Sequence, residues 1–190
     1  MKSFFDMHGY TCLKLFINQV AISIFGTVLS MTTMAMENNA LTIAVSVFSI
    51  LFFTVLVYIM MWEVGAKDRL SVDLGKKEKK LGTGLLIALV GNIPNFIIAI
   101  LFTIGAPFMA TQEWAGNICA VAKVISLFVE GMYSGLINTV TIGGTLLSNF
   151  WWTYFAITVP TIAAVWISYL IGYSNFKFFP SFSMHSNNKK

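Results

Sequence analysis

The chain has 190 residues, of which 57% are apolar or aromatic and only 11% are charged, with a mean hydropathy of +0.77. Soluble domains carry about a quarter charged residues, so this chain lacks the polar side chains to cover a water-facing surface; a soluble globular enzyme and a disordered chain are both excluded. The net charge is +4, and six of the twelve cations (Lys67, Arg69, Lys76, Lys77, Lys79 and Lys80) fall in one stretch, 63–82.

A polar head, 1–14, holds Lys2, Asp6, His8 and Lys14. The run 15–36 is long enough to cross about 30 Å of hydrocarbon as a helix. It is too long for a signal-peptide core and ends in no small-x-small cleavage site, so it reads as an uncleaved span. Glu37, Asn38 and Asn39 form a polar turn, and 40–62 is a second span without a charge. Tyr58 and Trp62 suit an interfacial aromatic belt at its end. The segment 63–82 is the one strongly polar internal stretch. Glu63 and Lys67 at i, i+4 extend the second span as a short cytoplasmic helix. A third span, 84–108, is interrupted at Gly91-Asn92-Ile93-Pro94-Asn95. A short connection, 110–116, carries Glu113 and no cation. The apolar run 117–137 carries Lys123 and Glu130, and 151–172 is the last span. The tail carries Lys177, Lys189 and Lys190.

Cations collect in the head and in 63–82 and are absent from the connections at 37–39 and 110–116. By the positive-inside rule the N-terminus and the 63–82 loop are cytoplasmic. The expected fold is an all-α polytopic transmembrane helix bundle: four spans plus one amphipathic or partly inserted helix at 117–137, with five spans as the alternative. Four spans put the lysine-bearing tail inside. Lys123, Ser126, Glu130 and Ser134, spaced 3, 4 and 4, make one narrow polar stripe on a helix. Cys12 and Cys119 then lie on opposite sides of the bilayer, unpaired, as small apolar fillers. Cys12, just before the first span, is also placed for S-acylation.

Several constellations bear on function. Pro94 removes an N–H and kinks its helix, which sets the amides of Asn92 and Asn95 beside freed carbonyls. Interrupted helices hold ligands in some transporters; a plain structural kink is the simpler reading. Lys123 and Glu130 are ionisable groups at membrane depth, a functional signal if that helix is buried and a wet polar face if it is interfacial. Lys67, Arg69, Lys76, Lys77, Lys79 and Lys80 suit anionic lipid headgroups or a cytoplasmic partner, and serve equally as a topology anchor. Gly131/Gly135, Ser168/Gly172 and Gly26/Ser30 are small-residue seams for close helix approach. Asn18, Gln19, Thr32 and Thr33 supply interhelical polar contacts. The two histidines sit in terminal segments, no His, Cys or carboxylate spacing suits a metal, and no phosphate-binding glycine loop or nucleophile elbow is present. No cofactor or metal is expected, and the cations lack the aromatic interleaving of a nucleic-acid surface.

The stretch Met61-Trp62-Glu63-Val64-Gly65-Ala66-Lys67-Asp68-Arg69, followed by GLLIALVGNIPNF at 84–96 and SYLIGY at 168–173, resembles a group of small uncharacterised multi-spanning proteins of Firmicutes, clostridia especially. The resemblance covers about half the chain and fades after residue 109. It implies a bacterial plasma membrane and supplies no activity. The sequence therefore points to a non-catalytic accessory or interaction component of a membrane transport or envelope complex, working through 63–82, with the lipid bilayer and other membrane subunits as partners. The alternative is a small solute or lipid transporter using the broken third helix and the Lys123/Glu130 face.

Overall fold

The computed structural model describes residues 2–78 and 80–174; Lys79 and the tail with Lys177, Lys189 and Lys190 lie outside the described residues. Seven helices are present among them: α1 Lys2–Ala35, α2 Asn39–Asp73, α3 Thr83–Gly91, α4 Ile93–Gly105, α5 Glu113–Val129, α6 Ser134–Ile137 and α7 Thr153–Tyr173. The only strands there, β1 Thr141–Ile142 and β2 Thr145–Leu146, make a small hairpin. The chain is an all-α bundle.

The first two helices form an antiparallel hairpin. Glu37 closes α1 with φ 55°, and the Asn38 side chain caps α2 by accepting from the Leu41 amide at 3.0 Å, a standard use of Asn at an N-cap. The helices meet at Ser30 and Ser46 (3.4 Å), at Asn18 and Met60 (3.6 Å) and at His8 and Asp68. Both are longer than a bilayer needs. The head 2–14 is the first turns of α1 rather than a separate segment. The second helix runs on to Asp73, so half of the 63–82 stretch is helical. It stops at Gly75 (φ 68°), where the Gly75 amide donates to Val72 and the Lys76 amide to Ser71 at 2.9 Å each, the paired bonds of a glycine-terminated helix.

The third span is two helices bent by 53° at Asn92. Here Pro94 opens α4, and the Asn92 side chain donates to the carbonyl of Ala88 at 2.8 Å. The last helix, α7, runs parallel to α2. Gly65 lies against the backbone of Tyr169 and Tyr173, and Gly172 against that of Trp62, so a Cβ at either glycine would meet backbone. The start of α1, the connection that follows α2 and the end of α7 thus share one end of the bundle, here called the loop end. The other is the far end.

Many long apolar side chains point outward, although Phe53, Phe102 and Ile98 are among those that fill the core. Leu51, Ile59, Ile97, Ile104, Val159 and Ile167 are all exposed, while Ser23, Ser46, Ser49, Asn92 and Thr158 are buried. Helices α1, α2 and α7 are each long and apolar enough to cross a membrane, and the bent pairs α3–α4 and α5–α6 meet the same test as pairs. An apolar outer surface over an interior that mixes apolar and small polar side chains is the arrangement hydrocarbon solvent favours.

Candidate functional site

The run 117–137 does not form one helix. Leaving the far end, α5 runs antiparallel to α4: Gly105 admits Cys119, whose Sγ lies 3.8 Å from the Phe102 carbonyl. It buries Ala115, Cys119, Ala122, Ser126 and Val129. It ends inside the bundle at Glu130, and the chain bends by 95°. Gly131 then lies against Ser23 and Thr27, and Gly135 against Ser46 and Ser30. Since α1 rises toward the far end from Ser23 to Ser30, the chain is climbing back to the end it left. The expected single stripe of Lys123, Ser126, Glu130 and Ser134 is therefore corrected. The residues sit on two short segments, because Glu130 takes φ −127° ψ 16° and a glycine follows it.

A helix that ends inside a bundle leaves orphan carbonyls. Side chains of α1 satisfy them. Thr27 Oγ1 donates to Leu127 O at 2.6 Å, and Ser23 Oγ and Gln19 Nε2 donate to Val129 O at 2.8 and 3.0 Å. Residues 19, 23 and 27 recur every fourth position, one face of a helix. That spacing was the available signal; the sequence reading took Gln19 as interhelical glue and missed Ser23 and Thr27.

Glu130 is 2% exposed. Its Oε1 lies 3.1 Å from Thr158 Oγ1, and Oε2 has no hydrogen-bond partner. Thr158 Oγ1 also lies 2.8 Å from the carbonyl of Tyr154. A threonine hydroxyl has one proton, so it cannot serve both oxygens. The buried Ser134 Oγ is likewise unpartnered. Both residues line a cavity of about 150 Å³ with Lys123, Ser126, Asn138 and Tyr154. Lys123 stands toward the far end, its Nζ 2.7 Å from Asn149 Oδ1 and 5.6 Å from the centre of the Phe102 ring. No bond joins Lys123 to Glu130. They share a cavity instead.

The broken third span contributes differently. Asn95 Nδ2 donates to Asn92 Oδ1 at 2.9 Å, and both side chains are buried. Asn92, Pro94 and Asn95 do not line the Glu130 cavity. Asn95 Oδ1 lacks a partner, as does Gln19 Oε1. Gly91 packs on Leu15 and both helices run toward the far end, so these two acceptors sit at similar depth.

At the loop end a second cluster forms around Asp68, 8% exposed. Its carboxylate accepts from Lys77 Nζ at 2.6 Å and from the Tyr169 hydroxyl at 3.0 Å, with His8 Nε2 at 3.6 Å. Burial pulls the His8 imidazole below its ordinary range, against the opposing pull of Asp68. Grooves of about 240 and 320 Å³ flank the trio of His8, Asp68 and Lys77. Lys76 and Lys80 line the first groove, and Lys67 the second. Lys67 pairs with Glu63 at 2.6 Å, Lys80 with Glu78 at 3.4 Å, and Arg69 donates to the Tyr173 carbonyl at 3.2 Å. Lys79 lies outside the described residues. The sequence reading missed His8, Asp68 and Tyr169, which are too far apart in sequence to suggest contact. Cys12 and Cys119 are buried free thiols. Among the described residues no three His, Cys, Asp or Glu side chains stand together as a metal site.

Between the cavity and the grooves lie the apolar side chains of Leu15, Met61, Ile87, Ala88 and Val165, all fully buried. No protein-family model, curated protein or solved structure matches this chain.

Proposed function

We propose that this chain is a non-catalytic transport protein of a bacterial cytoplasmic membrane, which receives a small polar solute in the Glu130 cavity from the far side. The observation that carries the reading is an under-bonded carboxyl, buried at the floor of a cavity that a broken helix creates. An ionisable group at membrane depth is expensive and marks a ligand path by default, and broken helices are a common way to build one. The cations of the head and of 74–82 collect at one end of the bundle, which supports a cytoplasmic loop end and an external far end. Four crossings and a re-entrant α5–α6 segment then place both the head and the end of α7 inside.

The 63–82 segment has less support as a docking element. Lys67, Arg69, Lys77 and Lys80 are each engaged within the chain. The segment acts chiefly as the inner closure of the bundle and as a contact for anionic headgroups.

The test compares cells expressing the wild type and Glu130→Gln at equal membrane levels, with small polar solutes in the cytosol measured by mass spectrometry. At least one solute pool should change with the wild type and return to the empty-vector level with Glu130→Gln. Identical pools in all three strains would overturn the proposal.

A further inference from the structure

The Glu130 cavity holds opposite demands at its two ends. The floor offers acceptors that lack donors: Glu130 Oε2 and Ser134 Oγ have no partner, and Glu130 Oε1 shares one hydroxyl proton with a backbone carbonyl. The C-terminus of α5 points at the same place and adds its partial negative charge. The floor therefore calls for a cation that carries several N–H donors. The mouth is of the opposite sign. Lys123 lines the same cavity, and its ammonium is held there by Asn149 and the face of Phe102. A simple cation in the cavity faces the Lys123 ammonium, and a simple anion faces the Glu130 carboxyl.

Lys123 lies on α5 and Glu130 closes it, so their backbone positions are about 10 Å apart along the axis, and both side chains line one cavity. A guest that met both groups with charge-assisted hydrogen bonds of about 2.8 Å would have to carry its two charges close together within that one cavity. In an α-amino acid the ammonium nitrogen and carboxylate oxygens are about 3 Å apart, from standard bond lengths. The cavity volume of about 150 Å³ suits a small side chain, and Tyr154 provides a wall for it.

Resting on the transport reading above, we propose that the guest is a small zwitterion of the α-amino acid class. Its ammonium sits on Glu130 and Ser134, and its carboxylate turns outward to Lys123. No covalent step is involved. Binding gives Glu130 and Ser134 the donors they lack and Lys123 a carboxylate.

The test measures binding, so that it stands apart from transport. Purified full-length protein in detergent is titrated with L-alanine, and with propionate and ethylammonium, which each carry one of its two charged groups. Alanine should bind at least about tenfold more tightly than either fragment, the loss expected for one charge-assisted contact. Glu130→Gln should bring alanine down to the level of propionate. Lys123→Gln should bring it down to that of ethylammonium, and Lys123→Arg, which keeps the charge, should restore most of the affinity. L-Leucine and L-tryptophan should bind progressively less well than alanine as the cavity fills. Ethylammonium or propionate binding as tightly as alanine overturns the proposal, and so does the absence of alanine binding. Either result leaves the solute-pool experiment to judge transport separately.

Discussion

The side-chain amide of Gln19 donates to the carbonyl of Val129 at 3.0 Å, across 110 residues of sequence. That bond, with its neighbours from Ser23 and Thr27, lets a helix stop inside the bundle, where no further helical turn donates to its carbonyls. Replacing both donors to Val129, as Gln19→Leu with Ser23→Ala, leaves a buried carbonyl unpaired. The expected cost is about 1–3 kcal/mol, read as a lower midpoint in detergent-unfolding titrations. An unchanged midpoint would show that the bend does not depend on α1.

The turn itself depends on Gly131. A Cβ there would overlap Thr27 Oγ1 and press on the Ser23 backbone. Gly131→Ala should cost about 2–3 kcal/mol, as overpacking of a tight site does. Gly143→Ala is the control. Its φ of 59° strains a side chain, but nothing lies within reach of the added carbon, so about 1 kcal/mol is expected.

Accessibility should follow the two openings. In a chain with Cys12→Ala and Cys119→Ala, cysteine placed at Ser134 should react with a membrane-impermeant maleimide from the external face only. Cysteine at Lys76 should react from the cytoplasmic face only. Labelling of both positions from one side would mean that the re-entrant geometry and the proposed orientation do not hold together.

The loop end should be sensitive to acid. His8 has its imidazole lowered in the folded protein by burial, so the unfolded chain binds the proton more readily. The stability it contributes is complete above the unfolded value of about 6.5 and falls away as pH drops below that, through the lower folded value. Thermal stability in detergent should decline from pH 7 to pH 5, and His8→Gln should flatten that decline. An identical slope in the variant would remove His8 from the account.

Asp68 ties three elements together through Lys77, Tyr169 and His8. Asp68→Asn keeps the shape and removes the charge that holds Lys77. The 74–82 connection should then be cut faster by trypsin in inside-out vesicles, by several-fold at equal protein.

Much of the architecture was legible in the residues. Long uncharged runs demand an apolar solvent, and Pro94 with Asn92 located the bend in the third span. The interrupted character of 117–137 was less visible, because Gly131 reads as a packing seam as easily as a bend. What distinguishes the two is Gln19, Ser23 and Thr27, whose partners lie more than ninety-five residues away. Lys123 and Glu130 were found as charged residues in an apolar context, but their common cavity arises only when the helix between Val129 and Ser134 folds back. Asp68 was hidden for a different reason. It sits in a mixed-charge helix that resembles any solvated surface, and only the packing of α7 on α2 brings Tyr169 over it.

The buried apolar layer around Leu15, Met61 and Val165 has an electrical consequence. From His8 to Ser23 the first helix climbs about 22 Å. Under the proposed transport reading, with water reaching the cavity and the grooves from opposite sides, the voltage across the membrane would fall over this interval, at about 2.3 kcal/mol per elementary charge for each 100 mV. A lone ion leaving Glu130 inward would do nearly all of its electrical work in this short interval, whereas a guest whose charges cancel would pass it almost indifferent to the potential.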